Sequence, residues 1–234
     1  MPDTEKPENN NAVTTHQEKP PRGVSPVEFT HSSQYWDDRY RQQGHSGAGS
    51  YGRLALFKAK ILNTLVKQNA IQSVIEFGSG DGNQLSLAEY PQYTGFDVSP
   101  TALARCQQRF ANDNTKQFLH TSAWQNHQAD LTLSLDVIYH LIEDEVFEEY
   151  MHRLFSSARR FVAIYASNDE KYNQVKAPHV KHVRHRKFTD WIQKNPPANW
   201  VLSKFIPNDY PFNISDMENT SFADFYIFKK IGSI

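Results

Sequence analysis

Apolar residues follow two different spacings along this chain. Between Leu54 and Leu65 they recur every three or four positions (Leu54, Phe57, Ile61, Leu62, Leu65), which predicts an amphipathic helix over RLALFKAKILNTLVKQ. Beyond residue 70, short apolar runs bounded by turn residues take over. IQSVIEF (71–77), a run ending in GFD (95–97), residues 116–120, ADLTLSL (129–135) and FVAIY (161–165) read as five strands. Helices are expected between them: a short one at 83–88, one opening at Pro100 with Ser99 as its N-cap, and one over 143–156. The last carries Glu143, Asp144 and Glu145 in its first turn, where the helix dipole favours negative charge. Its apolar face is Val146, Phe147, Tyr150, Met151, Leu154 and Phe155. FTDWIQK suggests one more short helix, and strands are expected at 200–206 and 222–228. Strand–helix alternation predicts a parallel sheet covered on both faces. The two closing strands, with no long helix between them, predict an antiparallel hairpin at one edge. The expected fold is therefore α/β, a doubly wound, seven-stranded, mostly parallel sheet with an antiparallel C-terminal hairpin.

Composition changes this picture mainly at the N-terminus. Residues 1–32 hold Pro2, Pro7, Pro20, Pro21 and Pro26 and few large apolar side chains, so they are read as a disordered tail. Residues 33–234 are read as one domain, with 33–70 as an N-terminal lid and helix segment and 170–190 as a basic segment. No apolar run approaches the roughly 20 residues needed to span a bilayer, and no secretory leader is visible. Cys106 is the sole cysteine, which excludes an intrachain disulfide and a cysteine-rich zinc site. A soluble, cytoplasmic protein is expected. The formal charge of −1 argues against a globally basic nucleic-acid or membrane-surface binder.

In a doubly wound sheet the ligand lies at the carboxyl ends of the strands, where strand order reverses. After the first strand comes Glu76-Phe77-Gly78-Ser79-Gly80-Asp81-Gly82, whose glycines permit a tight turn and close approach of a ligand to the backbone. About twenty residues further on, Asp97 closes the second strand, where a carboxylate suits a ribose diol. The plainer role for Asp97 is to cap the Ser99-Pro100 turn. The spacing is G-x-G-x-G after an acid, rather than the G-x-G-x-x-G of dinucleotide-binding folds, which disfavours a nicotinamide oxidoreductase.

At this point the sequence resembles the class I S-adenosylmethionine-dependent methyltransferases. VIEFGSGDG is similar to their first motif, GFDVSPTAL to their second, and ADLTLSLDVIYHL to the segment after their fourth strand. YWDDRYRQQGHSGAGSYGRLALFK resembles a lid found in small bacterial members. The resemblance implies a Rossmann-like methyltransferase fold, S-adenosylmethionine as cofactor and S-adenosylhomocysteine as product. It places Gly78, Gly80, Asp136 and Val137 beside the methionine portion and Asp97 at the ribose, with Glu76, Ser79 and Val98 also among the cofactor-binding residues. Trp36, Arg39, Tyr40 and Tyr51 become candidates for the methionine carboxylate and the substrate mouth. An acid often found near the adenine after strand three is replaced here by HTSAWQ. Ser122 takes its approximate place, with Ala123 beside it, and Trp124 is expected to stack on the adenine.

Between Lys171 and Lys187 the chain carries Lys171, Lys176, Lys181, Arg184, Arg186, Lys187, His179, His182 and His185 without an acid. The near-neutral total thus hides an acidic body with one basic cluster. Four readings stay open: a solvated loop, a metal site on the histidines, a nucleic-acid contact, or a pocket for an anionic acceptor. A metal is disfavoured by the lack of a nearby carboxylate or thiol, and nucleic acid by sparse aromatic interleaving. The acceptor expected is a phosphonate, phosphate, carboxylate or glycan-linked group held by Tyr51, Tyr139, His182, Arg184, His185 and Arg186. His140 is the candidate general base, needed only for a neutral hydroxyl. Alternatives are an RNA methyltransferase and a non-catalytic cofactor-binding partner protein. NPPA at 195–198 is set aside, because it lacks the aromatic of the nucleic-acid amino-methyltransferase signature and lies too late in the chain.

Overall fold

The computed structural model describes residues 28–175 and 180–232. Most of the expected tail, and Lys176 and His179 of the basic stretch, lie outside the described residues. Helix α1 (Ser32–Arg41) starts at the end of the expected tail, and its Ser32 is buried. Helix α2 (Gly52–Gln68) follows, then strands β1 (Ser73–Phe77) and β2 (Gln92–Asp97), helix α3 (Pro100–Arg109), and strands β3 (Lys116–His120) and β4 (Ala129–Leu135). Helix α4 (Asp144–Ser156), strand β5 (Ala158–Ala166), helix α5 (Phe188–Lys194) and strands β6 (Trp200–Ile206) and β7 (Asp224–Lys230) complete the chain.

All seven strands form one sheet in the order β3-β2-β1-β4-β5-β7-β6. The first five are parallel, and β7 runs antiparallel to both β5 and β6. Order reverses between β1 and β4, so the carboxyl ends of those strands flank the crevice expected to take a ligand. On one face α2 and α3 pack Phe57, Leu62, Val66, Leu103 and Cys106 onto the sheet. On the other, α4 and α5 contribute Phe147, Met151, Leu154, Phe155 and Phe188.

The helix expected at 83–88 is only a 3-10 turn, Leu85–Leu87. Local side-chain bonds win there: Asn83 N–H donates to Asp81 Oδ1 (3.1 Å) and Ser86 Oγ to the Asn83 carbonyl (2.6 Å). Such bonds offer the backbone an alternative to the helical ladder. Strand β5 is longer than its apolar run, and β7 starts two residues later than expected.

Candidate active site

The chain leaves β1 through Gly78, Ser79 and Gly80. Gly78 and Gly80 have φ of +89° and +59°, a region that side chains disfavour. A Cβ on Gly78 would lie 2.5 Å from Val137 Cγ2, so the turn rests directly on the residue beyond β4. The N–H groups of Gly78 and Ser79 both donate to the Phe96 carbonyl of β2. At the end of β2, Asp97 is buried. Its Oδ2 accepts Gly80 N–H at 2.8 Å and its Oδ1 accepts Ser99 N–H at 2.9 Å. The carboxylate thus caps the Ser99 turn and lines the crevice at once. Burial raises its pKa, while these backbone donors oppose that rise. Each oxygen retains acceptor capacity for a further donor.

The N-terminal segment closes over this turn. Ser46 N–H and Tyr51 Oη–H both donate to Asp81 Oδ2 (3.0 and 2.8 Å), and Asp81 N–H donates to Ser46 Oγ (3.0 Å). Asp37 of α1 accepts Ser99 Oγ–H at 2.7 Å, and Ser99 Oγ in turn accepts Ala102 N–H to cap α3. Arg105 of α3 donates to the carbonyls of Tyr40 and Gly44. At the other end Ser32 Oγ–H donates to Glu143 at 2.5 Å.

Beneath this segment lies a cavity of about 390 Å³, within the size range of small-molecule sites. Of the residues expected at a cofactor, Trp36, Glu76, Gly78, Ser79, Gly80 and Asp97 line it. Val98, Ser122, Asp136, Val137 and the candidate base His140 line it too. Arg39 does not. Its Nε–H donates to the His45 carbonyl (2.8 Å) and its guanidinium sits over Trp36. Ala123 is exposed and off the wall. Trp124 is off the wall as well: its indole N–H donates to Ser157 Oγ (2.9 Å) and Arg153 sits over its ring. The indole is held at the C-terminal end of α4.

His140 is surrounded by rings. Trp36 and Tyr139 meet it edge-on at 4.7 and 4.6 Å between centroids, and His182 lies parallel at 5.7 Å. Its Nδ1 is 2.9 Å from the His182 carbonyl. A carbonyl only accepts, so Nδ1 carries the proton and Nε2 the lone pair. Burial pushes the imidazole pKa down to about 3, against the opposing bond to His182. His140 is therefore neutral across the physiological range.

The residues expected to hold an acceptor anion are used elsewhere. Arg184 donates to the Ile142 carbonyl (2.9 Å) and pairs with Asp144 (3.0 Å). Arg186 pairs with the same carboxylate at 2.5 Å and donates to the carbonyls of Leu141 and Ile142. Together they tie the loop after β4 to the first turn of α4. His185 is buried with Nδ1 2.7 Å from Ser167 Oγ, and the His182 ring stacks on Tyr35 at 4.4 Å. Tyr139 Oη–H donates to Asp136 Oδ1 at 2.7 Å. None of these residues, nor Tyr51, lines the cavity. Among the described residues no three His, Cys, Asp or Glu side chains converge in a way that could hold a metal ion, and no helix is long and apolar enough to cross a membrane.

Sequence reasoning missed Lys58. It lies on α2 with a side chain only 1% exposed, lines the cavity, and pairs with Asp136 Oδ2 at 2.6 Å. Its signal was available: Leu54, Lys58 and Leu62 are spaced i, i+4, i+8, which sets a cation on the apolar stripe.

Two observations fit this cavity to the cofactor implied by the resemblance. Asp97, the ribose candidate, and the close-packed glycine turn share one wall. Along the same lining, Ser79 Oγ and Gln84 Oε1 are buried with no hydrogen-bond partner among the described residues, which in native proteins calls for a ligand or solvent. No curated protein matches this chain. Similar solved structures include the methyltransferase domain of bacterial CtHen1-C (21% identity, 74% of this chain and 97% of that one, TM-score 0.56). The N-methyltransferase NodS from Bradyrhizobium japonicum, bound to S-adenosylhomocysteine, is also similar (14%, 86% and 100%, TM-score 0.63). A third is magnesium protoporphyrin IX methyltransferase from Synechocystis with the same ligand (14%, 85% and 97%, TM-score 0.60). At these identities the likeness shows the fold. Residues 75–163, from β1 through β5, match the family described as Methyltransferase domain. Over that stretch the chain carries a methyltransferase domain, and its fold is the one shared by these S-adenosylmethionine-dependent enzymes.

Proposed function

We propose that this protein transfers a methyl group to a neutral nucleophile, a hydroxyl in the first instance, on a small polar acceptor. The observation that carries this reading is the state of His140: neutral, held through Nδ1 by the His182 carbonyl, and on the cavity wall beside Trp36. Bound S-adenosylmethionine supplies a methyl group on a sulfonium, already activated for displacement. The protein's tasks are to align acceptor and methyl and to exclude water. The ring of Trp36 and the covering segment from Ser32 to Tyr51 serve both ends. His140 Nε2 is oriented to accept the hydroxyl proton, so that the oxygen's electron density turns toward the methyl. Its depressed basicity suits a hydrogen bond through the displacement, with the proton passing to Nε2 only as alkylation makes the oxygen strongly acidic, and from there to solvent.

An anionic acceptor loses its main support, because Arg184 and Arg186 are committed to Asp144 and to two backbone carbonyls. The similar structures do not select an acceptor, since their names span a small RNA methyltransferase, a magnesium protoporphyrin IX methyltransferase and an N-methyltransferase.

The test is incubation with methyl-tritiated S-adenosylmethionine and fractionated cell extract, followed by mild base. Label should enter a low-molecular-weight fraction and survive base. Release of volatile methanol would identify a carboxylate ester and sink the reading. His140→Gln should lower kcat on the labelled acceptor by about 10²- to 10⁴-fold, the usual contribution of a positioned base, and leave S-adenosylhomocysteine affinity within about twofold, a ratio worth less than 0.5 kcal/mol.

A further inference from the structure

The NPPA run at 195–198 carries no catalytic signature, yet it forms one wall of a second cavity, of about 480 Å³. This groove lies at the C-terminal end of α4, where β6 begins against the end of β7, at the opposite end of the sheet from the glycine turn. Trp191 of α5 and Trp200 of β6 flank it together with Pro196 and Pro197, over His152 and Phe155 of α4. Trp191 meets the His152 ring edge-on at 5.0 Å, and Trp200 meets Phe155 edge-on at 5.5 Å. Both indoles are half-buried, and among the described residues neither indole N–H finds an acceptor or is sealed from solvent. Paired aromatic rings with free N–H donors suit a polyproline II segment, whose prolines pack on the rings while its carbonyls stay open to a donor.

This chain contains such a segment in the residues before Glu28, where the described structure begins: Glu18-Lys19-Pro20-Pro21-Arg22. Proline fixes its own φ near −65° and holds the residue before it extended, so little order has to be imposed on docking. The described chain starts beside α4, since Ser32 N–H and Oγ–H both donate to Glu143, the N-cap of that helix. From there α4 runs 13 residues toward the groove, a rise of about 20 Å. The seven residues from Glu28 back to Pro21 cover about 22 Å in polyproline II form, so the length matches. Charge matches as well. Exposed Glu145 and Glu148 lie on one stripe of α4 with His152, neither carboxylate pairs with a cation among the described residues, and Lys230 stands on the groove wall. We infer that the groove between Trp191 and Trp200 holds Pro20-Pro21 of this same chain, with Arg22 toward Glu148 and Glu18 toward Lys230. Docked there, the segment fastens the start of α1, and with it the cover over the active-site cavity, to the far end of α4. The inference goes beyond the methyl-transfer reading and does not depend on it.

Nuclear magnetic resonance of the ¹⁵N-labelled full chain tests it through the indole N–H signals of its four tryptophans, with Trp191→Phe and Trp200→Phe assigning the two in the groove. Pro20→Ser combined with Pro21→Ser lies outside the sheet and its core, so it leaves folding intact. It should shift both groove signals while the backbone amides of β1 to β4 stay in place. A synthetic peptide of residues 14–27 added to that variant should return both signals toward their wild-type positions. Groove signals that do not move in the proline variant would overturn the docking, and so would shifts spread over the amides of β1 to β4, which would mean a general change in the fold. Wild-type signals that move on dilution of the protein would assign the groove to the tail of a second copy and overturn the intramolecular assignment.

Discussion

The glycine turn and the basic stretch both stand out in the sequence, yet among the described residues only the turn faces the cavity. Gly78, Ser79, Gly80 and Asp97 interact through neighbours close in sequence or through adjacent parallel strands, so their local pattern survives folding. Arg184 and Arg186 instead meet Asp144 and the 141–142 carbonyls, some forty residues back in the chain. A run of like charges shows where cations are, but not which carboxylates the fold brings to them. Pairing decides whether such a run is a site or a brace.

The largest effect expected from this contrast is at the turn. Asp97→Ala removes the proposed ribose acceptor and orphans the N–H groups of Gly80 and Ser99, each costing about 1–3 kcal/mol when buried. S-adenosylhomocysteine affinity should fall by about 100-fold, with a lower melting temperature. Titration giving wild-type affinity would remove Asp97 from the site.

Next in size is a pH effect on the same wall. Burial raises the Glu76 pKa to about 7, although the Tyr93 hydroxyl and Lys58 oppose the rise. Between the ordinary carboxyl value and 7 the folded protein therefore binds more protons than the unfolded one. Stability must fall as pH rises through that window, by up to about 3 kcal/mol. Glu76→Gln should abolish this slope, so that the variant gains on wild type between pH 5 and pH 8 in urea denaturation. Parallel curves would place Glu76 in a wetter, less costly environment.

The smallest effects belong to the arginines. Arg184→Ala breaks a pair whose members are both solvent-exposed and should cost below about 1 kcal/mol. Arg186→Ala, which frees the Leu141 carbonyl and leaves that of Ile142 to Arg184 alone, should cost about 1–2 kcal/mol. Neither should change KM for the acceptor by more than about twofold. A KM raised tenfold or more by either change would restore the anion pocket.

The strands were legible because period-two and buried runs mark them whatever their partners. The place of the Asp97 carboxylate on the cavity wall was legible because it closes a strand whose end faces the crevice. The missing helix after β1 was not, since Asp81 and Ser86 compete for the backbone at a scale that apolar spacing does not register. The bond from Trp124 to Ser157 was not legible, because an aromatic in a binding loop and one that anchors a helix end look alike until the fold brings Ser157 opposite. Lys58 is the instructive miss: a charged residue on an apolar stripe was passed over as part of the helix, and the folded chain makes it part of the site.

The clasp of Ser46 and Tyr51 on Asp81 has a practical consequence for where this protein can be cut. In a sheet of this kind a helix after the first strand would brace the glycine turn, but here that work falls to residues upstream of the sheet. A fragment trimmed to the family-matched region would retain the glycines and Asp97 yet lose Ser46, Tyr51 and Lys58. Its turn would have no roof and no fixed charge at one end. The first forty residues of the described chain are thus a missing wall of the pocket, and the functional unit begins well before the sheet does.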